Sequence, residues 1–218
     1  MKWKKQIWVY DDIIPVEQQE KIKGELMGNN FPWFFVPDIT GGHSRDEHPG
    51  FSRNFLRAGE LNPNTTEAHV EMLGILIDAS MKKIKEKTGV KGDYSVFSSR
   101  TFLQLPLSTV KGGEYDAHHV DLFDEHFALL YYVCDADGDT VIFDQMYSKE
   151  NPDPPKLSEL TEKTRVTPKQ GRMVIFDGFY WHTGTQPSNN VRCVINTDIV
   201  QAPWRKYFEP NVYVFVIY

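Results

Sequence analysis

Beyond Gly92 the chain is a succession of short apolar runs, residues 94–105, 127–134, 140–144, 163–167, 172–176, 191–199 and 211–218, separated by Gly, Pro, Asp and Asn. Runs of this length, bounded by turn formers, are strands. Several of them in series predict a sandwich or barrel of antiparallel sheet, with any helices segregated to one side. Asn151-Pro152-Asp153-Pro154-Pro155 marks an evident loop, and no internal repeat or low-complexity tract interrupts the pattern.

The helices fall before that point. Residues 6–14 read as a short strand, after which Pro15 opens a helix whose Val16, Ile22 and Leu26 lie near one face and which ends at Gly28-Asn29-Asn30. A second, longer helix runs from an N-cap at Thr65 or Thr66 to Gly89, with Val70, Leu73, Ile77, Met81 and Ile84 at helical spacing. Between them, residues 31–62 carry an aromatic stretch, Phe31-Pro32-Trp33-Phe34-Phe35, and a polar one rich in Gly and His. This segment reads as an irregular lid or binding loop. The expected class is therefore α+β, mainly β, in one domain of 218 residues: a helical support over 1–92 and a β core over 93–218.

Charge and cysteine content narrow the partners. The net charge is −6 and no segment concentrates Lys and Arg, so nucleic acid is not an expected partner. Cys134 and Cys193 each sit inside an apolar run, as reduced core thiols do in an intracellular compartment. The basic start leads into no signal-type apolar stretch, and no run approaches the roughly 20 apolar residues of a membrane span. A soluble, cytoplasmic chain is expected; oligomeric state is not written in these features.

The chemistry concentrates in His119-Val120-Asp121, beyond the turn signal Lys111-Gly112-Gly113. Residues two apart on an extended segment point to one side, so both side chains can reach one metal ion. By itself the pattern is weak: in a chain with seven histidines a His-x-Asp arises by chance about 0.4 times. His118 is a poorer ligand than His119, because the residue two beyond it is Val120. What strengthens the reading is the sequel: Pro168-Lys169-Gln170-Gly171-Arg172-Met173-Val174-Ile175-Phe176-Asp177, then Trp181-His182-Thr183-Gly184, then Arg192 in an otherwise apolar run. Two His and one carboxylate on one side of an iron ion leave coordination positions open for a bidentate 2-oxo acid and dioxygen. An arginine inside a buried strand is costly without an anion to pair with, and its planar fork matches a carboxylate.

Taken together, Tyr115…His119-x-Asp121, Leu129-Leu130-Tyr131-Tyr132-Val133, Pro168-x-x-Gly171-x-x-Val174-x-Phe176, His182 and Arg192 resemble the 2-oxoglutarate/Fe(II)-dependent dioxygenase superfamily, in its prolyl 4-hydroxylase-like branch. The resemblance covers residues 94–200. It implies a double-stranded β-helix, or jelly roll of the cupin-like kind, with His119, Asp121 and His182 as iron ligands and Arg192 on the co-substrate's distal carboxylate. It also implies Fe(II), 2-oxoglutarate and O2 as cofactors, admits ascorbate, and couples decarboxylation of 2-oxoglutarate to succinate with hydroxylation of a C–H bond. The prime substrate would be a protein side chain, proline among the candidates, or a small molecule. Strand alternation puts Tyr132 rather than Tyr131 on the co-substrate's side, and Gln104 stands where family members carry a tyrosine donor.

Competing readings are weaker. Oxidative nucleobase demethylation, as in enzymes of the AlkB type, would want a second arginine six residues beyond the first, where this chain has Asp198. Halogenation would want a small residue at Asp121. A metal-bearing jelly-roll module without catalysis is opposed by the joint presence of all three ligands and Arg192. Asp135–Asp139 lacks the Gly and Glu spacing of a calcium loop and reads as a hairpin turn. His126 with Asp124 and Glu125 reads as a solvated charged loop, and His43 and His48 as loop residues. The aromatics Phe31–Phe35, Phe51, Trp181 and Trp204 suit a core better than a substrate platform, and Arg53 is open between a substrate carboxylate and a surface acid.

Overall fold

The computed structural model describes residues 5–39, 48–91, 93–107 and 115–201. In chain order the elements are β1 (Ile7–Tyr10), α1 (Val16–Leu26), β2 (Phe34–Val36), β3 (Gly50–Arg57), β4 (Glu60–Leu61), α2 (Glu67–Thr88), β5 (Tyr94–Gln104), β6 (His126–Tyr132), β7 (Thr140–Met146), β8 (Glu162–Val166), β9 (Met173–Asp177), β10 (Tyr180–Gly184) and β11 (Arg192–Gln201), with a single 3-10 turn at Leu157–Glu159. The last expected run, 211–218, lies outside the described residues, as do His43 and Trp204.

Among the described residues all strand pairings are antiparallel and form two sheets. The larger runs β1-β9-β6-β11-β5-β3-β2, with β4 alongside β3, and the smaller runs β10-β7-β8. The larger sheet is open, ending at β1 and β2. This is the mainly-β arrangement with two helices that the run pattern predicts.

Alternation along the central strands divides the molecule. From β6 and β11, Phe127, Leu129, Tyr131, Cys193, Ile195 and Ile199 enter the core that α1 and α2 cover through Ile22, Leu26, Leu73, Ile77, Met81 and Ile84. Their neighbours Ala128, Tyr132 and Val194 turn to the other face, where Ile142 and Tyr180 of the smaller sheet meet them. One face of the larger sheet is thus spent on helix packing and the other faces the smaller sheet.

The long helix has the ends its sequence encodes. Thr66 accepts from the His69 amide, the His69 ring accepts from the Thr66 amide, and Gly89 closes the helix in the left-handed region at φ 63°. Val70 is only half-buried and Val16 exposed, so both helical faces centre slightly away from the spacing read from sequence.

The described parts of residues 31–62, 31–39 and 48–62, are not the irregular segment that their composition predicts. Gly50–Arg57 is an eight-residue strand that pairs with β5, Arg53 opposite Thr101, and β2 extends the sheet beyond it. The polar run Ser52-Arg53-Asn54 hides the strand alternation, which tertiary pairing restores. The N-terminal part consequently supplies strands to the main sheet as well as two helices. Tyr180–Gly184, outside the apolar runs read from sequence, is likewise a strand. Among the described residues no helix is long and apolar enough to cross a membrane.

Because α2 packs on the face away from the smaller sheet, weakening that contact separates stability from chemistry. Ile77→Ala, at a position 2% exposed, should cost about 2–5 kcal/mol in denaturant unfolding while leaving divalent-metal affinity unchanged; a parallel loss of metal affinity would contradict the separation of the two faces.

Candidate active site

Between the two sheets lies a pocket lined from β5 by Arg100, Phe102 and Gln104, from β11 by Arg192, Val194 and Asn196, and from the smaller sheet by Thr140, His182, Thr183 and Gly184. His119 and Asp116, from the segment before β6, complete it together with Ile39 and Leu130. β5 and β11 contribute alternate residues, which is why so many of their polar side chains share one space.

His119 and His182 face each other across a backbone bridge: each amide donates to the other's carbonyl, at 2.9 and 3.0 Å. The pairing sets both rings side by side, centroids 4.5 Å apart. Val120 turns the opposite way, into a cluster with Val141, Phe143 and Trp181, so Asp121 returns to the side of His119. His182 Nε2 lies 3.2 Å from Asp121 Oδ2 and His119 Nε2 lies 3.8 Å from Asp121 Oδ1. The three side chains place one ligand atom each within 4.8 Å of one another.

The protonation pattern suits a cation at that point. His119 Nδ1 lies 3.0 Å from the Ala117 carbonyl and His182 Nδ1 lies 3.0 Å from that of Tyr180. A carbonyl only accepts, so each Nδ1 carries the hydrogen and each Nε2 turns a lone pair toward Asp121. Desolvation, and then the neighbouring His182, lowers His119 to about 4, which keeps the ring neutral and its lone pair free. Asp121 stays far below the usual carboxylate range in spite of its burial, with the Arg100 guanidinium beside it. Three lone-pair donors, two nitrogen and one anionic oxygen, fit a divalent transition metal.

Asp121 is itself fixed. Its Oδ1 accepts from Arg100 Nη2 at 2.7 Å and from Asn196 Nδ2 at 3.1 Å, whereas Oδ2 is buried without a hydrogen-bond partner. The two donors occupy one oxygen and leave the other to a metal. Arg100 stacks over Phe102 at 5.0 Å, which braces its guanidinium.

Arg192 lies farther along β11 and is 6% exposed. Nε donates to the Gly138 carbonyl at 2.9 Å, Nη1 to Gln104 Oε1 at 2.8 Å and Nη2 to Thr140 Oγ1 at 2.9 Å. A guanidinium has five N–H donors, so one on each Nη is left for a carboxylate. Gly138 is what the close approach demands: a Cβ there would lie 2.6 Å from the Thr185 carbonyl and 3.0 Å from Arg192 Cδ.

Four of the six residues singled out from sequence, His119, His182, Arg192 and Gln104, line this one pocket, and Asp121 lies against His119 and His182 beside it. Tyr132 does lie on the inter-sheet face, fully buried near Arg192, with its hydroxyl pushed up to about 12 by burial; Tyr131 belongs to the helix-side core. His118 turns away to the Pro155 carbonyl, against Phe143 and Trp181. Arg53 is buried, where it donates to the Pro32 and Asn64 carbonyls and lies over Phe31.

Arg100, Asn196, Asp116, His126 and Asp198 were not found in the sequence. His126 is no solvated loop residue: it is 1% exposed, and its ring packs on Gly178. Together with Asp198 it stands close to Asp121, as a second group of potential ligands. Burial, and then Asp121, pushes Asp198 well above the usual carboxylate range, which favours its acid form beside Asp121.

The geometry ranks the supports of Asp121. Arg100→Gln and Asn196→Ala should each lower Mn(II) affinity about tenfold or more, as loss of an outer-shell partner does, with Arg100→Gln the larger effect; equal affinity to the unaltered chain in both would show that Asp121 needs no such bracing.

No family model matches the chain, and no curated protein matches it in sequence. Solved structures do. An oxidoreductase of the 2OG-Fe(II) oxygenase family from Burkholderia pseudomallei superposes with a TM-score of 0.66 at 15% identity, over 90% of this chain and 85% of that one. A Pseudomonas putida prolyl-4-hydroxylase gives 0.56 at 11% identity, over 91% and 94%. The α-ketoglutarate-dependent epimerase SnoN of nogalamycin biosynthesis gives 0.62 at 9% identity, over 91% and 79%. The fold of this chain is that of the 2-oxoglutarate/Fe(II) oxygenases, prolyl 4-hydroxylases among them.

Proposed function

We propose that this chain is an Fe(II)- and 2-oxoglutarate-dependent oxygenase in which His119, Asp121 and His182 hold the iron and Arg192 holds the distal carboxylate of 2-oxoglutarate. The observation that carries the reading is the convergence of three lone-pair atoms within 4.8 Å, two of them from histidines that line the same pocket as a buried guanidinium with two N–H groups to spare. Bound iron, 2-oxoglutarate and O2 would supply the oxidising power for a C–H bond, with succinate and carbon dioxide released.

The chain's own residues do the holding. Arg100 and Asn196 turn Asp121 so that one oxygen serves the metal. Gln104 and Thr140 brace Arg192 from opposite sides, and Tyr132 closes the inter-sheet face near it. Phe102, Leu130, Val194 and Ile39 supply the apolar wall that limits water around the reacting atoms.

The prime substrate in this reading is a protein side chain, proline among the candidates, or a small molecule. Both classes have support: the similar folds include prolyl 4-hydroxylases and enzymes of nogalamycin biosynthesis. Nucleobase demethylation is disfavoured, because the position six beyond Arg192 is Asp198, buried near Asp121.

Succinate formation from 2-oxoglutarate should require Fe(II) and vanish in Asp121→Ala with the fold retained by circular dichroism. Arg192→Ala should raise the 2-oxoglutarate requirement by about 2–4 kcal/mol, the worth of a buried charge-assisted pair, and Arg192→Lys should recover part of it. An unchanged requirement in Arg192→Ala would place the carboxylate elsewhere, and undiminished turnover in Asp121→Ala would refute the ligand set.

A further inference from the structure

The pocket that holds Arg192 also holds an acid with no assigned task. Asp116 has a side chain only 8% exposed. Its backbone is pinned to β10, since its amide donates to the Gly184 carbonyl and its carbonyl accepts from Thr183 Oγ1. Gln104 links it to Arg192. The guanidinium can only donate, so it must meet Gln104 Oε1, and this leaves Gln104 Nε2 to donate to Asp116 Oδ2 at 2.7 Å. Asp116 Oδ2 and Arg192 Nη1 also flank the same glycine, 2.9 and 3.7 Å from where a Gly184 Cβ would stand.

The other oxygen, Oδ1, is buried without a hydrogen-bond partner. The nearest candidate is His48 Nδ1, itself unpartnered and 3.9 Å away, beyond hydrogen-bond reach. Asp116 thus lines the pocket one glutamine removed from the guanidinium, with a buried oxygen that has no hydrogen-bond partner among the described residues.

We propose that Asp116 is part of the co-substrate cradle, and that the distal carboxylate of a 2-oxo dicarboxylic acid binds against Asp116 in its acid form, so that co-substrate uptake is coupled to a proton on Asp116 Oδ1. The inference rests on the functional reading above and adds a residue and a pH dependence to it. As the acid, Asp116 keeps Oδ2 as acceptor for Gln104 and turns Oδ1–H into a donor for the incoming carboxylate. As the anion, it repels that carboxylate and competes for the charge of Arg192.

Burial favours the acid form and pushes Asp116 above the usual carboxylate range, and Asp38 adds to this; Gln104, Arg192 and His48 oppose it. The sign follows directly. A ligand that prefers the protonated form binds more weakly as pH rises through the titration of Asp116, approaching tenfold per pH unit once the acid form is scarce. Protonation of His48 would act in the same direction, so the two have to be told apart by substitution.

The test is calorimetric titration of Mn(II)-loaded protein with 2-oxoglutarate between about pH 6 and pH 9, a range in which both ligand carboxylates stay ionised. Asp116→Asn is nearly isosteric and keeps a donor where the acid has Oδ1–H. It should bind 2-oxoglutarate about tenfold more tightly than the unaltered chain at the alkaline end, where an anion would otherwise face the ligand. It should also lose the pH slope, while His48→Gln keeps it. Binding by Asp116→Asn that is no tighter at the alkaline end, or a slope that survives in it and disappears in His48→Gln, would overturn the inference and leave the functional reading standing. Failure of the unaltered chain to bind 2-oxoglutarate at any pH would remove both.

Discussion

The site depends on the hydrogen bond from Arg100 to Asp121. Asp121 belongs to the segment between β5 and β6, whereas Arg100 belongs to the middle of β5, so the bond ties the ligand-bearing segment to the larger sheet. An ionised carboxylate with a side chain 1% exposed could not persist there without donors. Arg100 and Asn196 meet that requirement on one oxygen and leave the other bare. The backbone bridge between His119 and His182 completes the geometry from the smaller sheet, so both sheets fix the residues of the proposed metal site.

The same economy governs the strands. β11 carries Cys193, Ile195 and Ile199 into the helix-side core and Arg192, Val194 and Asn196 into the pocket. A slip of one residue in its pairing would bury the polar set under α2 and expose the apolar set to the pocket, so register and chemistry are one constraint. The supports of Arg192 are local in a similar way: Gly138 lets the guanidinium approach backbone, and Gln104 is set opposite it by the pairing of β5 with β11. Strands hold Arg100, Gln104, Thr140, His182, Arg192 and Asn196, whereas His119, Asp121, Asp116, Gly138 and Ile39 lie in the segments between them.

How much of this was legible follows from what kind of signal each residue leaves. His119, Asp121, His182 and Arg192 belong to spacings that only their chemistry explains, and strand alternation alone separated Tyr132 from Tyr131. Gln104 was read as a co-substrate donor, and in the structure its two ends are taken up by Arg192 and Asp116. Arg100, Asn196 and Asp116 left no local pattern: each acts through a partner at least 12 residues away, and pairing register, not sequence spacing, brings them together. His126 was misjudged because Asp124 and Glu125 make its neighbourhood look solvated, while Gly178 opens the space that buries it. β3 was missed for the related reason that Ser52-Arg53-Asn54 breaks the apolar alternation of a strand completed by its neighbours.

The most direct measurement of the central claim is anaerobic titration of the metal-free protein with Fe(II) and then 2-oxoglutarate, followed by visible absorption. A 2-oxo acid chelated to iron at the three ligands gives a weak metal-to-ligand charge-transfer band, which should appear on addition of 2-oxoglutarate and be absent in His182→Ala. Iron binding without that band would contradict the account, and would make the chain a metal-bearing β fold without the oxygenase chemistry.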